Sequence, residues 1–142
     1  MKKKIIPIIF ITLLLASMFC GCDTAGTSGS TAYVGTWIGE IMEDSWVSYV
    51  FTDSTYEYIY STDSEQLNVM EAKKGNLTVY DDVMFHTLTH YWDDKNSDTQ
   101  ISDNEWVEIY SGVQTFSFTI ANNTMSFYGL DIDFPVILQL VN

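Results

Sequence analysis

The chain has 142 residues, of which 46% are hydrophobic and 15% aromatic, and it carries 19 acidic residues against six basic ones. This length is sufficient for one domain with a hydrophobic core, and the aromatic content is incompatible with a disordered chain. The net charge of −13 repels nucleic acid and anionic lipid headgroups, so the composition excludes nucleic acid as an expected partner and favours cations or basic partners.

The N-terminus has the composition of a secretion signal. Three lysines, Lys2 to Lys4, precede an apolar run from Ile5 to Leu15, and small residues follow. The run is too short, and wrongly flanked, for a lasting membrane span. Together with the cysteines at its end, the segment resembles a bacterial lipoprotein signal peptide, which predicts that residues 1–21 are removed and that the protein is lipid-anchored in the cell envelope, on the extracytoplasmic side of a membrane.

The resemblance to lipoproteins also indicates which cysteine receives the lipid. The family places a small residue before the modified cysteine, and Gly21 precedes Cys22, whereas the bulky Phe19 precedes Cys20. Cys22 is therefore the predicted lipid-attachment site. The alternative is an ordinary signal peptide that happens to contain two cysteines.

Residues 22–32 are rich in Gly, Ser and Thr and have no apolar anchor, which is typical of a flexible tether. Removal of the first 21 of the 142 residues leaves 121, with three lysines against all 19 acidic residues, a net charge of −16. If Cys22 is lipidated, no cysteine remains for a disulfide, and the domain at 33–142 must be stabilised by its core.

From Tyr33 onward the hydrophobic period is two, which predicts strands with one buried and one more polar face. Tyr56, Tyr58 and Tyr60 alternate with other residues in this way, as do the apolar residues between Thr115 and Ile120. The predicted strands cover residues 33–42, 45–52, 55–61, 67–73, 76–81, 83–92, 113–121, 124–129 and 132–141. Two neighbouring runs can form one bent strand, so about eight strands are expected.

Turn residues separate these runs. Asn122-Asn123 lies between two alternating runs and predicts a tight hairpin, because Asn tolerates positive φ. The segment Ser64–Lys74 has two interpretations: its alternation fits a strand, whereas a capping serine, helix formers and a following Gly75 fit a helix. Short connections favour an all-β, antiparallel up-and-down barrel, since closure of the sheet removes its edges.

The first run contains Gly35-Thr36-Trp37, which resembles the Gly-x-Trp signature of lipocalin-like barrels. This resemblance implies that Trp37 closes one end of the barrel and that Gly35 lets the chain bend there. It applies to the wider barrel class, because lipocalins usually stack an arginine on this tryptophan and the chain has none. It also implies a small apolar or amphipathic ligand in the lumen, with Trp37, Tyr56, Tyr58 and Tyr60 as the predicted ligand-binding residues. The alternative is a lumen filled by the aromatic side chains themselves.

The segment Asp94–Glu105 resembles the twelve-residue calcium loop of EF-hands. Oxygen-bearing residues stand at the ligand positions of that loop, namely Asp94, Asn96, Asp98, Gln100 through its carbonyl, Ser102 and Glu105. The sixth position is Thr99 where the loop requires glycine, and a β-branched residue at positive φ is strained. Calcium is therefore the one cofactor that the sequence suggests, and a solvated acidic loop is the alternative.

Catalytic signatures are weak. His86 and His90 on one strand would lie about 13 Å apart at ~3.3 Å per residue, too far to share a zinc ion, so both are expected in the core or at its rim. No serine stands in a nucleophile-elbow setting and no phosphate-binding glycine loop is present. The sequence thus predicts a binding module rather than an enzyme, with a surface-interaction or structural lipoprotein as the alternative.

Overall fold

The computed structural model of the protein describes residues 31–129 and 135–141. The predicted signal segment, Cys22 and most of the predicted tether lie outside the described residues. The described residues form nine strands: β1 (Gly35–Met42), β2 (Ser45–Phe51), β3 (Thr55–Ser61), β4 (Val69–Tyr80), β5 (Val83–Trp92), β6 (Trp106–Glu108), β7 (Val113–Ala121), β8 (Thr124–Gly129) and β9 (Val136–Leu140). Two short 3-10 helices occupy Thr31–Tyr33 and Asp103–Glu105. Among the described residues no helix is long and apolar enough to cross a membrane.

Eight of the strands form a closed antiparallel barrel. Strands β1 to β5 pair in chain order, and β5 then pairs with β7. Strand β7 pairs with β8, β8 with β9, and β9 with β1, which closes the ring. The short β6 pairs with the end of β5 outside this ring. The order is that of an up-and-down meander, so the predicted fold class is confirmed. Closure gives each of the eight strands two neighbours, which satisfies backbone groups that an open sheet would leave exposed.

Strand β4 resolves the ambiguous segment of the sequence. The predicted runs 67–73 and 76–81 are one twelve-residue strand, and the extended conformation begins at Val69. Its pairing with β5 shifts between Lys74 and Gly75. A side chain at Gly75 would collide with the carbonyl oxygen of Thr87, so glycine lets the two strands approach each other at this irregularity.

The predicted tight hairpin at Asn122-Asn123 is confirmed. The φ angles are 50° at Asn122 and 62° at Asn123, and Ala121 pairs with Thr124. Positive φ at both central residues is the type I′ geometry that matches the twist of the flanking strands. The last predicted run, 132–141, is observed as β9, and its residues 132–134 lie outside the described part of the chain.

One end of the barrel is apolar and closed. Trp37 has no exposed surface, and its indole N–H donates a hydrogen bond of 2.7 Å to the carbonyl of Tyr33. The Tyr33 ring packs edge-on against Phe51 and Phe118. Gly35 adopts φ +140°, a conformation that L side chains rarely adopt. The predicted inward position of Trp37 is thus confirmed, and the first 3-10 helix lies over the apolar end.

A second apolar cluster lies on the outer wall. Its members come from β3, β4, β5 and the chain after β5, namely Ile59, Val69, Ala72, Trp92, Ile101 and Trp106. The segment 93–105 covers this wall and is attached by a hydrogen bond of 3.0 Å from the Val69 amide to the Thr99 carbonyl. The acidic segment of the sequence is therefore packed on the barrel and does not project as a free loop.

Candidate functional site

The middle of the lumen is built around His86, which β5 directs inward. Its ring stacks on Tyr56 with centroids 4.1 Å apart and lies 4.6 Å from that of Phe116. The rings of Phe51, Phe127 and Tyr49 lie 5.8, 5.9 and 6.1 Å away. This packing of aromatic side chains fills most of the lumen, as in small barrels whose interior is just wide enough for side chains.

The filling is incomplete beside His86. A cavity of about 110 Å³ is lined by Tyr49, Tyr56, Tyr58, Lys73, His86, Gln114 and Phe116. Pockets for drug-sized ligands usually measure about 300–1,000 Å³. The lumen therefore has room for a small guest beside a polar group, and not for a long apolar chain.

The imidazole of His86 is held in an unusual electrostatic state. The residue is 2% exposed, and its Nε2 is the one buried side-chain polar atom without a hydrogen-bond partner among the described residues. Burial lowers the pKa of His86 to about 3. The imidazole is therefore neutral at physiological pH, and its Nε2 is buried among the aromatic rings without a hydrogen-bond partner in the described part of the chain.

Three phenols share the cavity with His86. Burial raises the pKa of Tyr56 to about 12, and burial together with the charge of Glu71 raises the pKa of Tyr58 to about 12. The pKa of Tyr49 is raised further, chiefly by burial. Within the described chain, none of the hydrogen bonds engages these three hydroxyls. All three stay protonated at neutral pH and can either donate or accept a hydrogen bond.

Lys73 and Glu71 form an ion pair at the polar end of the lumen. The Lys73 ammonium lies 2.5 Å from a carboxylate oxygen of Glu71, and it stands 5.9 Å from the ring centroid of Tyr58. Both side chains are partly exposed, so the pair contributes about 1 kcal/mol or less to stability. The pair leaves little net charge beside the cavity, because the two opposite charges lie next to each other.

The structure distributes the predicted ligand-binding residues over two parts of the lumen. Tyr56 and Tyr58 line the cavity. Trp37 belongs to the apolar core at the closed end, and the Tyr60 hydroxyl lies 3.3 Å from Ser45 Oγ, away from the cavity lining. The cavity thus contains two of the four predicted residues.

The sequence predicts His86 in the core or at its rim and does not identify it as a residue of the site. The alternation of Met84, His86 and Leu88 on β5 was the signal that this polar residue points inward. Lys73 and Gln114 are brought to the cavity by pairings of β4 and β7 with β5. Such pairings join residues far apart in the chain, so no local pattern identifies them.

The acidic loop has an ordered backbone. Asp94 accepts hydrogen bonds from the amides of Asp98 and Thr99, at 3.2 and 3.1 Å. Asn96 accepts one from the Asp98 amide, at 3.0 Å, and Asp98 accepts one from the Gln100 amide, at 2.8 Å. The first, third and fifth positions of the predicted calcium loop therefore point toward the loop backbone.

Thr99, at the sixth position, adopts φ +61°. It thus has the left-handed backbone that glycine favours, and the side-chain strain expected from the sequence is present. Its hydroxyl donates a hydrogen bond to the carbonyl of Asp98, at 2.7 Å, and its backbone carbonyl accepts the bond from Val69 on β4. These contacts offset part of the strain.

Glu105, at the twelfth position, is only 1% exposed. Its Oε2 accepts hydrogen bonds from the Ser102 hydroxyl at 2.6 Å, from the Trp92 indole at 3.0 Å and from the Ser102 amide at 3.2 Å. These bonds, that of the Ser102 hydroxyl foremost, hold the pKa of Glu105 below its ordinary value. The carboxylate therefore fastens the end of the loop to the outer wall.

A metal site in this loop would need several ligating side chains close to one another. In residues 31–129 and 135–141, no group of three or more His, Cys, Asp and Glu side chains lies close enough to hold a metal ion. Each carboxylate oxygen that accepts an amide hydrogen keeps a further lone pair, so amide, carbonyl and carboxylate oxygens together could still coordinate calcium. Calcium binding by this loop stays a prediction.

The partners of the two histidines indicate whether either could act as a catalytic base. An enzyme of the hydrolase type would need a histidine within hydrogen-bond reach of a serine or aspartate in a cleft. His86 has no such partner in the described chain, and the Nδ1 of His90 lies 2.9 Å from the hydroxyl of the adjacent Thr89. A non-enzymatic role therefore also stays a prediction. No protein-family model, curated protein or solved structure matches the chain.

Proposed function

We propose that the protein is a lipid-anchored, extracytoplasmic binding module that takes a small molecule at the polar end of its barrel. The observation that carries this proposal is the incompletely filled lumen, whose cavity of about 110 Å³ is lined by Tyr49, Tyr56 and Tyr58 beside Lys73 and His86. A concave space lined by aromatic rings and a few polar groups is typical of small-molecule sites.

The size of the cavity selects among the ligands expected from the sequence. A volume of about 110 Å³ favours a small guest over a fatty acid or another long apolar ligand. The alternative function, a surface-interaction or structural lipoprotein with a filled barrel, requires that this space hold only water.

A fragment screen separates these two functions. The chain has two histidines, so ¹⁵N-histidine labelling of the full chain in lipid nanodiscs gives two ring systems, His86 in the lumen and His90 outside the cavity. We expect at least one fragment from a set of neutral, anionic and cationic small molecules to shift the His86 ring nitrogens and leave those of His90 unchanged. If no fragment moves the His86 signals, the lumen is not a binding site.

The anchor is proposed on the N-terminal sequence alone. We expect Cys22→Ser to move the protein from the membrane fraction to the soluble fraction, because the lipidated thiol is lost, whereas the matched variant Cys20→Ser remains in the membrane. Phase partition in detergent and mass spectrometry of the N-terminal peptide measure this directly. Release by Cys20→Ser alone would assign the lipid to the other cysteine, and release by neither would contradict the lipoprotein proposal.

Calcium binding by residues 94–105 is a second candidate function. It is favoured by the chain of backbone hydrogen bonds that Asp94, Asn96 and Asp98 accept at the first, third and fifth loop positions. A loop already folded around its oxygen ligands loses less entropy when it binds a cation. The negative charge of the protein would further attract a divalent cation.

Calorimetric titration of the full chain with calcium tests this candidate. We expect a dissociation constant on the order of 1 mM or lower. Asp94→Ala should weaken binding, while Asp103→Ala, which removes an exposed carboxylate at a non-ligand position of the same loop, should leave it unchanged. Thr99→Gly should strengthen binding, since glycine adopts the φ of +61° without strain. A silent titration of the unmodified chain would rule out the calcium site.

A further inference from the structure

A second concave space lies on the outside of the barrel, on the wall made by β2, β3, β4 and β5. It is an open groove of about 350 Å³, a volume within the range of small-molecule sites. Its lining is mostly polar and includes three ionisable side chains, those of Glu57, Lys74 and His90. The groove is therefore a candidate site that is separate from the lumen.

The three ionisable side chains form one row across the outer face of the sheet. Glu57 on β3 pairs with Lys74 on β4, and Lys74 pairs with His90 on β5. Because side chains alternate between the two faces of a strand, residues two positions away point in the same direction. Those residues belong to the apolar cluster on the outer wall, namely Ile59, Ala72 and Trp92. The row therefore points away from the lumen.

The sheet is irregular where this row crosses it. The pairing of β4 with β5 shifts between Lys74 and Gly75, and Gly75 has no side chain that could fill the groove. The Thr89 hydroxyl donates a hydrogen bond of 3.2 Å to the Lys74 carbonyl and lies 2.9 Å from His90 Nδ1. These contacts hold the His90 ring at the border of the groove.

Glu57 and Lys74 have opposite charges and are direct cross-strand partners, but they do not form an ion pair. The Lys74 ammonium lies instead over the ring of Trp106, 4.0 Å from its centroid. In the described part of the chain the Glu57 carboxylate has no hydrogen-bond or ion-pair partner. Both side chains are half-buried, yet neither the carboxylate oxygens nor the ammonium is shielded from solvent. Both charged groups are therefore accessible to a ligand.

These two charges determine which ligand the groove suits. A cation alone would bind Glu57 next to the positive Lys74, and an anion alone would meet both Glu57 and the net charge of −13. A zwitterion gives each group a partner of opposite charge. Cross-strand partners have Cβ atoms about 4.5–5.5 Å apart, so the two charges of the ligand must be close together.

An α-amino acid has this spacing, because its ammonium and carboxylate groups are attached to the same carbon. Val50 provides an exposed apolar wall, which suits a ligand side chain without charge. We propose that the outer groove binds a free α-amino acid with an uncharged side chain, its ammonium on Glu57 and its carboxylate on Lys74. This site goes beyond the proposed lumen function and does not depend on it.

The test is a titration of glycine and of L-leucine, a small and a large member of this class, into the ¹⁵N-histidine-labelled full chain in lipid nanodiscs at neutral pH. We expect at least one of them to give saturable shifts of the His90 ring nitrogens and unchanged His86 signals, with a dissociation constant on the order of 1 mM or lower. The amide of the bound amino acid lacks the carboxylate, and its N-acetyl derivative lacks the ammonium. Each should bind about tenfold more weakly, because one charge-assisted hydrogen bond is lost.

Variants that remove one charge locate each end of the ligand. Glu57→Gln should weaken binding of the amino acid about tenfold and leave the N-acetyl derivative unaffected, whereas Lys74→Met should weaken the amino acid and leave the amide unaffected. A merely destabilised barrel would weaken all of these ligands alike. Glu40→Gln removes an exposed carboxylate on β1 that does not line the groove, and it should leave binding unchanged.

Three outcomes would overturn this proposal. The first is that neither amino acid moves the His90 signals up to about 20 mM, well above the expected dissociation constant. The second is that the amide or the N-acetyl derivative binds as tightly as the amino acid itself. The third is that Glu57→Gln and Lys74→Met both leave binding unchanged. Since a lumen ligand is expected to shift His86 and not His90, failure of either proposal is distinguishable from failure of the other.

Discussion

At the scale of single residues, His86 combines burial with an unused hydrogen-bonding atom. A leucine or phenylalanine would fill the same aromatic surroundings without leaving a polar atom unpaired, so the histidine costs stability where it stands. Such a cost is typical of a position selected for binding rather than for packing. The burial that isolates Nε2 also keeps the imidazole neutral, and this has a consequence for stability.

We expect the protein to lose stability as the pH falls below neutrality because His86 titrates in the unfolded chain first. The unfolded imidazole gains its proton near pH 6.5, whereas the folded one stays neutral down to a pKa of about 3. The unfolded state therefore binds more protons between these values, and stability falls as the pH is lowered through this window. The loss is zero above the unfolded pKa and reaches about 2 kcal/mol at pH 5.

Denaturant unfolding at pH 7.5 and pH 5.0 measures this effect. The difference between the two pH values should shrink by about 2 kcal/mol in His86→Gln and stay unchanged in His90→Gln, which keeps the buried imidazole. Since acidic residues titrate as well, the comparison between variants carries the test. A His86 ring that titrates near pH 6.5 in the folded protein, seen by ¹⁵N NMR, would contradict the expected neutral state.

At the scale of elements, the long pair of β4 and β5 forms the wall that joins both candidate sites. Its inner face contributes Lys73 and His86 to the cavity, and its outer face is covered by the segment that ends at Glu105. The irregularity between Lys74 and Gly75 shifts the register of this pair, which sets the side chains that face each other across it. Gly75 is therefore a position on which both faces depend.

Gly75→Ala should destabilise the barrel by about 1–3 kcal/mol, because the added methyl group has no space beside the carbonyl of Thr87. The matched control is Gly112→Ala, since a methyl group at Gly112 would meet nothing within 4 Å. The control should change the free energy of unfolding by about 0.5 kcal/mol or less. Chemical denaturation of both variants makes the comparison, and equal stabilities would show that the strands separate here without cost.

At the scale of the whole molecule, the charge is strongly one-sided. Residues 22–142 contain three lysines and 19 acidic residues. Two of the three lysines are engaged on the barrel, Lys73 with Glu71 and Lys74 over the Trp106 ring at 4.0 Å from its centroid. The remaining field is that of a compact polyanion, which keeps the protein soluble and weakens the folded state by self-repulsion.

Salt should therefore stabilise the protein. The screening length falls from about 30 Å at 0.01 M to about 3 Å at 1 M ionic strength, so repulsion between the acidic side chains is largely removed. We expect Tm to rise by several degrees between 0.01 and 1 M NaCl, on the scale of about 1 kcal/mol.

A variant with three exposed turn residues neutralised, Glu43→Gln, Asp53→Asn and Asp82→Asn, should melt at a higher temperature in low salt and gain less from added NaCl. A Tm that falls as NaCl is added would instead mean that attractive ion pairs dominate over repulsion.

The sequence alone determined the class of fold, since alternation with a period of two is a local property of each strand. It also determined the Asn122-Asn123 turn, because Asn tolerates positive φ, whereas the buried position of Trp37 was expected from the resemblance to Gly-x-Trp barrels. Two neighbouring runs proved to be the single strand β4, which the sequence allowed.

Tertiary structure decided the rest, because the candidate sites are built from residues that only strand pairing brings together. His86, Tyr58 and Gln114 come from three different strands, and nothing near any of them in the chain signals the cavity that they share. The same holds for the acidic segment. Its residue pattern is evident in the sequence, but its attachment to the outer wall includes the hydrogen bond from the Val69 amide to the Thr99 carbonyl, which joins residues far apart in the chain. Local patterns report which face of a strand is buried, whereas the space left inside a closed barrel depends on how all eight strands pack their side chains against one another.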